Sequence, residues 1–303
     1  MNHRNQYVLM TAAYNEGANI GGVIESVLSQ SVLPAKWIIV SDGSTDNTDE
    51  IVAGYEERYP WIRCVHVTRK PGRNFASKVI ALQQADDQLR RERFDVIGNI
   101  DADVTLEPDY FAQLLDRMAA DPQLGIASGF IYEKSSGQYV SRPLNSEDSV
   151  PHAAQLVRRA CYEAIGGYAV LRYGGEDWHA LISARMHGWR VKAFSDLKIF
   201  HRRPGNLARG AVRDSFRAGR MDYSLGSYPP FEVLKCLRRF PDAYFSAGVT
   251  RMCGFLWGYL RGEKRPVSKE FMNFLRAEQR ERAIAFFKGS VRGSEKVPRH
   301  AAG

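Results

Sequence analysis

The sequence predicts an α/β fold in which a mostly parallel sheet is flanked by helices. Through the first half of the chain, short buried apolar runs alternate with amphipathic stretches, a pattern typical of strand–helix–strand units. The apolar runs end in turns rich in Asn, Asp, Gly and Ser, and in parallel sheets ligands bind where the strands end. With 303 residues and 44% apolar content, the chain can hold one large domain and a smaller appendage.

The individual elements follow this alternation. Strands are predicted at residues 7–12, 37–40, 62–67 and 94–100, and helices at residues 18–30, 48–59, 76–88 and 108–119. A further apolar run at 125–132 precedes a polar loop or hairpin over residues 133–150. The remaining elements are helices at 154–165 and 178–187 and short strands at 191–194 and 197–200.

The last third of the chain is basic and helical. Residues 201–303 hold 21 Lys and Arg against 9 Asp and Glu, whereas residues 1–200 hold 21 against 25. Such a block suits nucleic acid, anionic lipid or phosphate-bearing substrates, although a solvated helical surface is the plainer explanation. We predict an α/β domain over residues 1–215, a basic helical region over 216–288 and a disordered tail over 289–303.

Membrane and cysteine signals are weak. No apolar stretch reaches the roughly 18 residues needed to span a bilayer. Residues 243–260 come nearest, but Arg251 lies among them, which favours a buried or interfacial helix. The four cysteines are far apart, without CxxC or zinc-finger spacing, and the N-terminus lacks a signal-peptide core. These features predict a cytoplasmic protein, with peripheral contact at the inner face of the plasma membrane as an option.

Asp101 and Asp103 stand one residue apart after a buried apolar run. In extended backbone they would share one face at the tip of a strand. Two neighbouring carboxylates repel each other unless a cation lies nearby. Mg²⁺ and Mn²⁺ take oxygen ligands and bridge carboxylates to diphosphates. Asp-x-Asp also arises by chance, and a solvated turn is the plain alternative.

Five motifs stand in a characteristic order and spacing. They are Ala12-Ala13-Tyr14-Asn15-Glu16, Ser41-Asp42-Gly43-Ser44-Thr45-Asp46, Asp101-Ala102-Asp103, Gly174-Gly175-Glu176-Asp177 and His201. Together they resemble the family 2 glycosyltransferases of GT-A fold, over roughly residues 6–215. One departure is Ala12, where members of the family often have Pro.

The resemblance implies a Rossmann-like GT-A domain and a metal-dependent inverting transfer of one sugar from a nucleotide-diphosphate sugar, most simply a UDP-sugar. The acceptor would be a hydroxyl of a glycan or lipid-linked molecule in polysaccharide or cell-envelope biosynthesis. Processive members carry a Gln-x-x-Arg-Trp motif and several membrane spans, and this sequence has neither, which favours a non-processive enzyme.

The resemblance also implies residue roles in donor binding. Asp42 corresponds to the acid that contacts uracil, and Ala12, Tyr14 and Asn15 fall where the family lines the base and ribose pocket. Lys78, with Arg73 as the alternative, would be the basic residue between nucleotide and diphosphate. Capping of a turn or helix is the competing role for Asp42.

Metal binding and catalysis fall to the later motifs. Asp103 matches the direct ligand of Mn²⁺ or Mg²⁺, His201 a further ligand, and Asp101 the acid that contacts ribose or a metal-bound water. Asp177 matches the catalytic base, and Glu176 would orient the acceptor. A carboxylate at a helix N-terminus also simply complements the helix dipole.

Other functional classes remain open at this stage. A non-catalytic module that binds nucleotide-sugars or anionic membranes could retain the same fold. The basic last third invites a nucleic-acid interpretation, but no recognised nucleic-acid motif accompanies it, so no nucleic-acid partner is predicted. A dinucleotide-binding enzyme is disfavoured because no Gly-x-Gly-x-x-Gly turn follows the first strand.

Overall fold

The structure is a computed structural model that describes residues 6–68, 76–135, 137–143, 145–202, 211–237 and 245–294. The chain divides into two compact units, Met1–Asn206 and Leu207–Gly303. The predicted domain boundary after residue 215 lies within the helix Ala211–Ser224 of the second unit, whereas the first compact unit ends at Asn206. Charge and composition change only gradually here, so they did not locate the division.

The first unit begins with four parallel strands joined by helices. The strands are β1 (Tyr7–Ala13), β2 (Lys36–Asp42), β3 (Ile62–Val67) and β4 (Val96–Ile100), paired in the order β3-β2-β1-β4. The connecting helices are α1 (Ile20–Leu28), α2 (Thr48–Glu56) and α3 (Ala76–Leu89). Core clusters cover both faces of β1, which explains its continuous apolar sequence.

The rest of the sheet mixes strand directions. It contains β5 (Val104–Leu106), β6 (Leu124–Ser135), β7 (Gln138–Ser141), β8 (Ala154–Arg158) and β9 (Arg190–His201), with helices α4 (Tyr110–Ala120), α5 (Arg159–Ala164) and α6 (Glu176–Met186). The order continues β4-β8-β6-β9-β5, with β7 paired to β6. β8 runs antiparallel to β4 and β6, whereas β6 and β9 are parallel. The predicted α/β fold is confirmed.

The helix predicted at 154–165 is wrong in its first half. Residues Ala154–Arg158 form β8, which lies between β4 and β6, and only Arg159–Ala164 are helical. A short apolar run fits a buried strand or a buried helix equally well, and here pairing with two neighbouring strands decides.

Three smaller features also differ from or refine the prediction. The three-residue strand β5 was not predicted, and the two strands proposed at 191–194 and 197–200 are one element, β9. A register shift opposite Gly129 and Phe130 interrupts its pairing with β6, which explains the break in its apolar pattern. The hairpin expected within residues 133–150 is confirmed by the antiparallel pairing of β6 with β7.

The second unit is helical, as predicted. Its helices are α7 (Ala211–Ser224), α8 (Pro229–Leu237), α9 (Phe245–Leu260) and α10 (Lys269–Ser294). Helix α10 extends to Ser294, and the rest of the tail that was predicted to be disordered from residue 289 lies outside the described residues. Throughout the described ranges, every helix is too short or too polar to cross a bilayer.

Candidate active site

Strand register brings several predicted residues to one edge of the sheet. In the parallel strands Ala13 pairs with Ser41 and Met10 with Asn99, so β1, β2 and β4 end side by side. The Thr11 hydroxyl donates a 2.7 Å hydrogen bond to the carbonyl oxygen of Ile100, the last residue of β4. Ala12, Asp42 and Asp101 therefore lie at the carboxyl edge, where open α/β sheets bind ligands.

Asn15 fastens the loop after β1 to the loop after β2. Its φ of 52° places it in the left-handed region, which Asn tolerates better than most residues. Its side-chain Oδ1 accepts a 2.7 Å hydrogen bond from the Thr45 backbone, and its own N–H donates to Ser44 Oγ at 3.1 Å. Asn15, expected in the ribose pocket, thus holds in place the turn that follows Asp42. Tyr14, its neighbour, is half-buried.

The Asp101-Ala102-Asp103 segment is a turn between β4 and β5. Ala102 is buried, whereas both aspartates are partly exposed. This alternation turns both carboxylates away from the hydrophobic core, although the two have different partners. The Asp101 N–H donates to the Ala153 carbonyl at 2.8 Å, which ties the turn to the segment before β8.

The predicted donor-site residue Lys78 pairs directly with Asp101. Its Nζ lies 2.7 Å from Asp101 Oδ1, and Asn99 Nδ2 lies 3.3 Å from the same oxygen. Burial alone would lower the pKa of Lys78, but the carboxylates of Asp101, Glu176 and Asp177 outweigh it and raise that pKa above its usual value. Lys78 is therefore charged, and its ammonium group interacts electrostatically with three carboxylates.

Glu176 and Asp177 open helix α6 directly after two glycines. Gly174 and Gly175 have φ values of 82° and 92°, which residues other than Gly rarely adopt. Asp177 Oδ1 accepts a 2.7 Å hydrogen bond from the Trp178 N–H. Burial and the charge of Asp177 raise the pKa of Glu176, while Lys78 opposes this shift. The glycine turn and the helix start thus place two carboxylates within electrostatic reach of Lys78.

Asp103 and His201 approach each other through the pairing of β5 with β9. Val104 is in register with His201, and the Arg202 N–H donates to the Asp103 carbonyl at 2.9 Å. His201 Nε2 lies 3.7 Å from Asp103 Oδ1, and both side chains are largely buried. An imidazole nitrogen and a carboxylate suit Mn²⁺ or Mg²⁺.

Among the described residues, no group of three or more His, Cys, Asp and Glu side chains gathers as a metal cluster. Asp101 therefore stands apart from the pair, engaged with Lys78 instead. Two protein ligands remain compatible with Mg²⁺ or Mn²⁺, because such ions at phosphate sites keep water and take substrate oxygens as ligands. Asp103 and His201 therefore fit a divalent metal whose remaining ligands come from a diphosphate and water.

Sequence reasoning missed Asn99 and His152, which lie behind Asp101. Asn99 is fully buried and donates to the His152 carbonyl at 2.6 Å. Burial and the nearby charge of Lys78 lower the pKa of His152 well below its ordinary value, so the imidazole is neutral. Asn99 was detectable as a polar residue inside an apolar run, whereas nothing in the sequence places His152 near β4.

Comparison with known proteins agrees with this geometry. The model of glycosyl transferase family 2 matches residues 9–176, which include the site residues described above up to Glu176 but neither Asp177 nor His201. The chain belongs to glycosyl transferase family 2. It is 32% identical over 105 residues to the uncharacterized glycosyltransferase YibD of Escherichia coli K12, covering 32% of this chain and 30% of that protein. It is also 28% identical over 120 residues to poly-beta-1,6-N-acetyl-D-glucosamine synthase of Staphylococcus aureus, covering 40% of this chain and 27% of the synthase.

This family 2 chain thus aligns with less than a third of the length of these curated relatives. Solved glycosyltransferases share its fold. The mannosyltransferase PcManGT from Pyrobaculum calidifontis, in complex with GDP-Man and Mn²⁺, has a TM-score of 0.57 at 19% identity, covering 95% of this chain and 82% of that one. Residues 1–349 of S. aureus TarS, in complex with UDP-GlcNAc, give 0.53 at 15% identity, covering 72% and 65%.

Proposed function

We propose that this chain is a metal-dependent inverting glycosyltransferase that moves one sugar from a nucleoside-diphosphate sugar to a hydroxyl group of a glycan or lipid-linked acceptor. The observation that carries the proposal is the cluster of Lys78, Asp101, Glu176 and Asp177 beside the Asp103–His201 pair, all on segments that the family pattern singled out. A cytoplasmic location, against an anionic membrane, suits such an acceptor.

Donor binding falls to the carboxyl edge of β1 and β2. Asp42 would accept a hydrogen bond from the base, which favours a pyrimidine with an N–H at that position and therefore a UDP-sugar. Ala12 and Tyr14 would line the base and ribose pocket, with Asn15 holding the facing turn in place. Asp101, steadied by Lys78, would contact the ribose hydroxyls.

Asp103 and His201 would hold Mn²⁺ or Mg²⁺ on the diphosphate. When bound, such a cation neutralises negative charge on the leaving nucleoside diphosphate. Lys78 adds a positive charge close by and, by its pair with Asp101, keeps that carboxylate oriented. The neighbours solved with GDP-Man and Mn²⁺ or with UDP-GlcNAc support a nucleotide-sugar donor for this fold.

Asp177 would act as the catalytic base. In an inverting transfer, the acceptor oxygen loses its proton as it attacks the anomeric carbon from the face opposite the diphosphate. Asp177 lies in the first turn of α6. Burial raises the pKa of Glu176, which suits that residue for hydrogen bonding to acceptor hydroxyls instead.

The test is thermal unfolding with UDP, GDP and their sugars, each with and without Mn²⁺. A donor at about 100 times its Kd stabilises the folded state by roughly 2.7 kcal/mol, which raises Tm by several degrees. We expect a Mn²⁺-dependent shift with a UDP-sugar and a smaller shift without metal. The absence of any nucleotide-dependent shift would contradict the proposal, and a metal-independent shift without turnover would favour a binding module that has lost catalysis.

A further inference from the structure

The charged side chain of helix α9 points into the interior of the second unit. Arg251 is the one charged residue in Phe245–Leu260, and its side chain is only 12% exposed. Its Nε donates to Glu232 Oε1 at 3.0 Å, and its guanidinium also contacts Asp222. Lys235 completes this buried cluster, with Nζ 3.0 Å from Asp222 Oδ1. The charge of α9 is thus neutralised inside the second unit.

Apart from Phe255, which is buried, the rest of the inward face is built largely from glycine. A Cβ on Gly254 would lie 2.0 Å from the Phe216 carbonyl oxygen, and one on Gly258 would lie 2.3 Å from the Tyr223 ring. Helices α7 and α9 therefore approach each other at backbone distance. Because this face of α9 is so closely packed, most of its other large apolar side chains are directed elsewhere.

Those side chains lie on the outward face. The exposed fractions are 42% for Val249, 50% for Leu256, 39% for Trp257, 43% for Tyr259 and 80% for Leu260. Cys253 is exposed as well.

Positions 249, 253, 256, 257 and 260 recur at helical spacing, so they form one stripe. On the same helix, the Thr250 hydroxyl donates to the Ser246 carbonyl at 2.7 Å, which satisfies it internally. A helix with its charge buried and its apolar residues exposed is the reverse of what water favours.

A basic rim follows the stripe. Arg261 lies 4.9 Å from the centre of the Trp257 ring, Arg265 lies 5.2 Å from that of Tyr259, and Lys264 is exposed. Tryptophan and tyrosine beside cationic side chains are typical of the boundary between lipid headgroups and acyl chains. The excess of basic residues in 201–303 adds long-range attraction to a negative surface.

We infer that the outward face of α9 docks on an anionic lipid bilayer, with the helix lying in the plane of the interface. A second copy of this chain is a poorer occupant, because its apolar stripe carries no acidic side chain to complement the basic rim. The inference deepens the proposed function. It rests on that function only in one respect: a lipid-linked acceptor would explain why the protein binds a membrane.

The experiment is sedimentation of the full chain with vesicles of phosphatidylcholine, with or without phosphatidylglycerol, at low and high salt. We expect binding to the anionic vesicles that weakens with salt. Leu260→Glu, at a side chain too exposed to matter for folding, should weaken it by about tenfold or more, since the leucine contact with lipid is lost. Leu33→Glu makes the same change at a 45% exposed leucine of the first unit and should leave binding intact.

Absent or equal binding to both vesicle types would overturn the inference, as would equal losses in the two variants. A lipid-free dimer that Leu260→Glu dissociates would also overturn it, in favour of self-association; sedimentation velocity gives that result. Nucleotide-dependent stabilisation is measured on the same preparations. If Leu260→Glu loses vesicle binding but keeps the nucleotide-dependent thermal shift, the result supports the docking face independently of the nucleotide site. Wild-type vesicle binding without any nucleotide-dependent shift would contradict only the proposed catalytic function.

Discussion

The ammonium group of Lys78 lies 2.7 Å from Oδ1 of Asp101, and both side chains are shielded from much of the solvent. This pair joins helix α3 to the end of β4, and Glu176 and Asp177 from α6 lie within its electrostatic reach. Asp101 is thus paired with a cation of the protein itself. Asp103 lies beside the His201 imidazole, and a carboxylate and an imidazole together suit a divalent metal.

The first prediction concerns the stability of this pair. Lys78→Met leaves Asp101 near two other carboxylates without its cation, so we expect the free energy of unfolding to fall by about 1–3 kcal/mol, as for a lost charged hydrogen bond. In a double-mutant cycle by urea unfolding, Lys78→Met combined with Asp101→Asn should cost less than the sum of the single changes. Additive costs would show that the two groups do not interact in solution.

The second prediction separates the two aspartates by their metal dependence. Asp103→Asn should abolish the Mn²⁺-dependent part of the nucleotide thermal shift and lower kcat/KM by roughly a hundredfold or more, because metal stabilisation is worth several kcal/mol. His201→Gln should weaken apparent Mn²⁺ affinity less severely. Asp87→Asn, at a 52% exposed carboxylate on α3, is the control and should change neither quantity. Unaltered metal dependence in Asp103→Asn would remove Asp103 from the metal site.

The third prediction tests Asp177 as the base. Asp177→Asn keeps the size and the helix start but cannot take a proton, so transfer should fall by about 10²–10⁴-fold while donor affinity stays within a few-fold. Isothermal titration with the donor, run beside turnover, distinguishes these effects. Loss of donor affinity together with turnover would mean that Asp177 binds the donor and that the base lies elsewhere.

The fourth prediction is a pH dependence of stability due to Glu176. Because burial and Asp177 raise its pKa in the folded state, the folded protein holds this proton more tightly than the unfolded chain does. Stability is therefore lost as pH rises from the ordinary glutamate pKa through the folded value, and Glu176→Gln should remove that loss. Melting curves should coincide near pH 4 and favour Glu176→Gln near pH 8. A stability gain independent of pH would assign the effect to packing.

The residues of the candidate site were predicted from the order of the motifs, whereas the strands were predicted from local sequence pattern. Asp101, Asp177 and Lys78 come together because β4, α3 and α6 reach one sheet edge, which alternating strands and helices imply. By contrast, Ala154–Arg158 became a strand through pairing with β4 and β6, and no short-range signal reveals distant partners. The same reason hid His152 and left the outward face of α9 undecided between burial and exposure.

The fifth prediction concerns the close approach of α7 to α9. A Cβ on Gly219 would lie 1.9 Å from the Arg251 carbonyl oxygen and 2.7 Å from the Phe255 nitrogen, both backbone atoms that cannot move aside cheaply. Gly219→Ala should therefore destabilise the second unit by about 1–3 kcal/mol or more. Gly54→Ala, where a Cβ meets nothing within 4 Å on helix α2, should be stabilising by about 0.5–1 kcal/mol. Hydrogen exchange resolved by helix provides the measurement. If both alanines were tolerated alike, the helices would be further apart than described, and the apolar residues of α9 would then have room to turn inward.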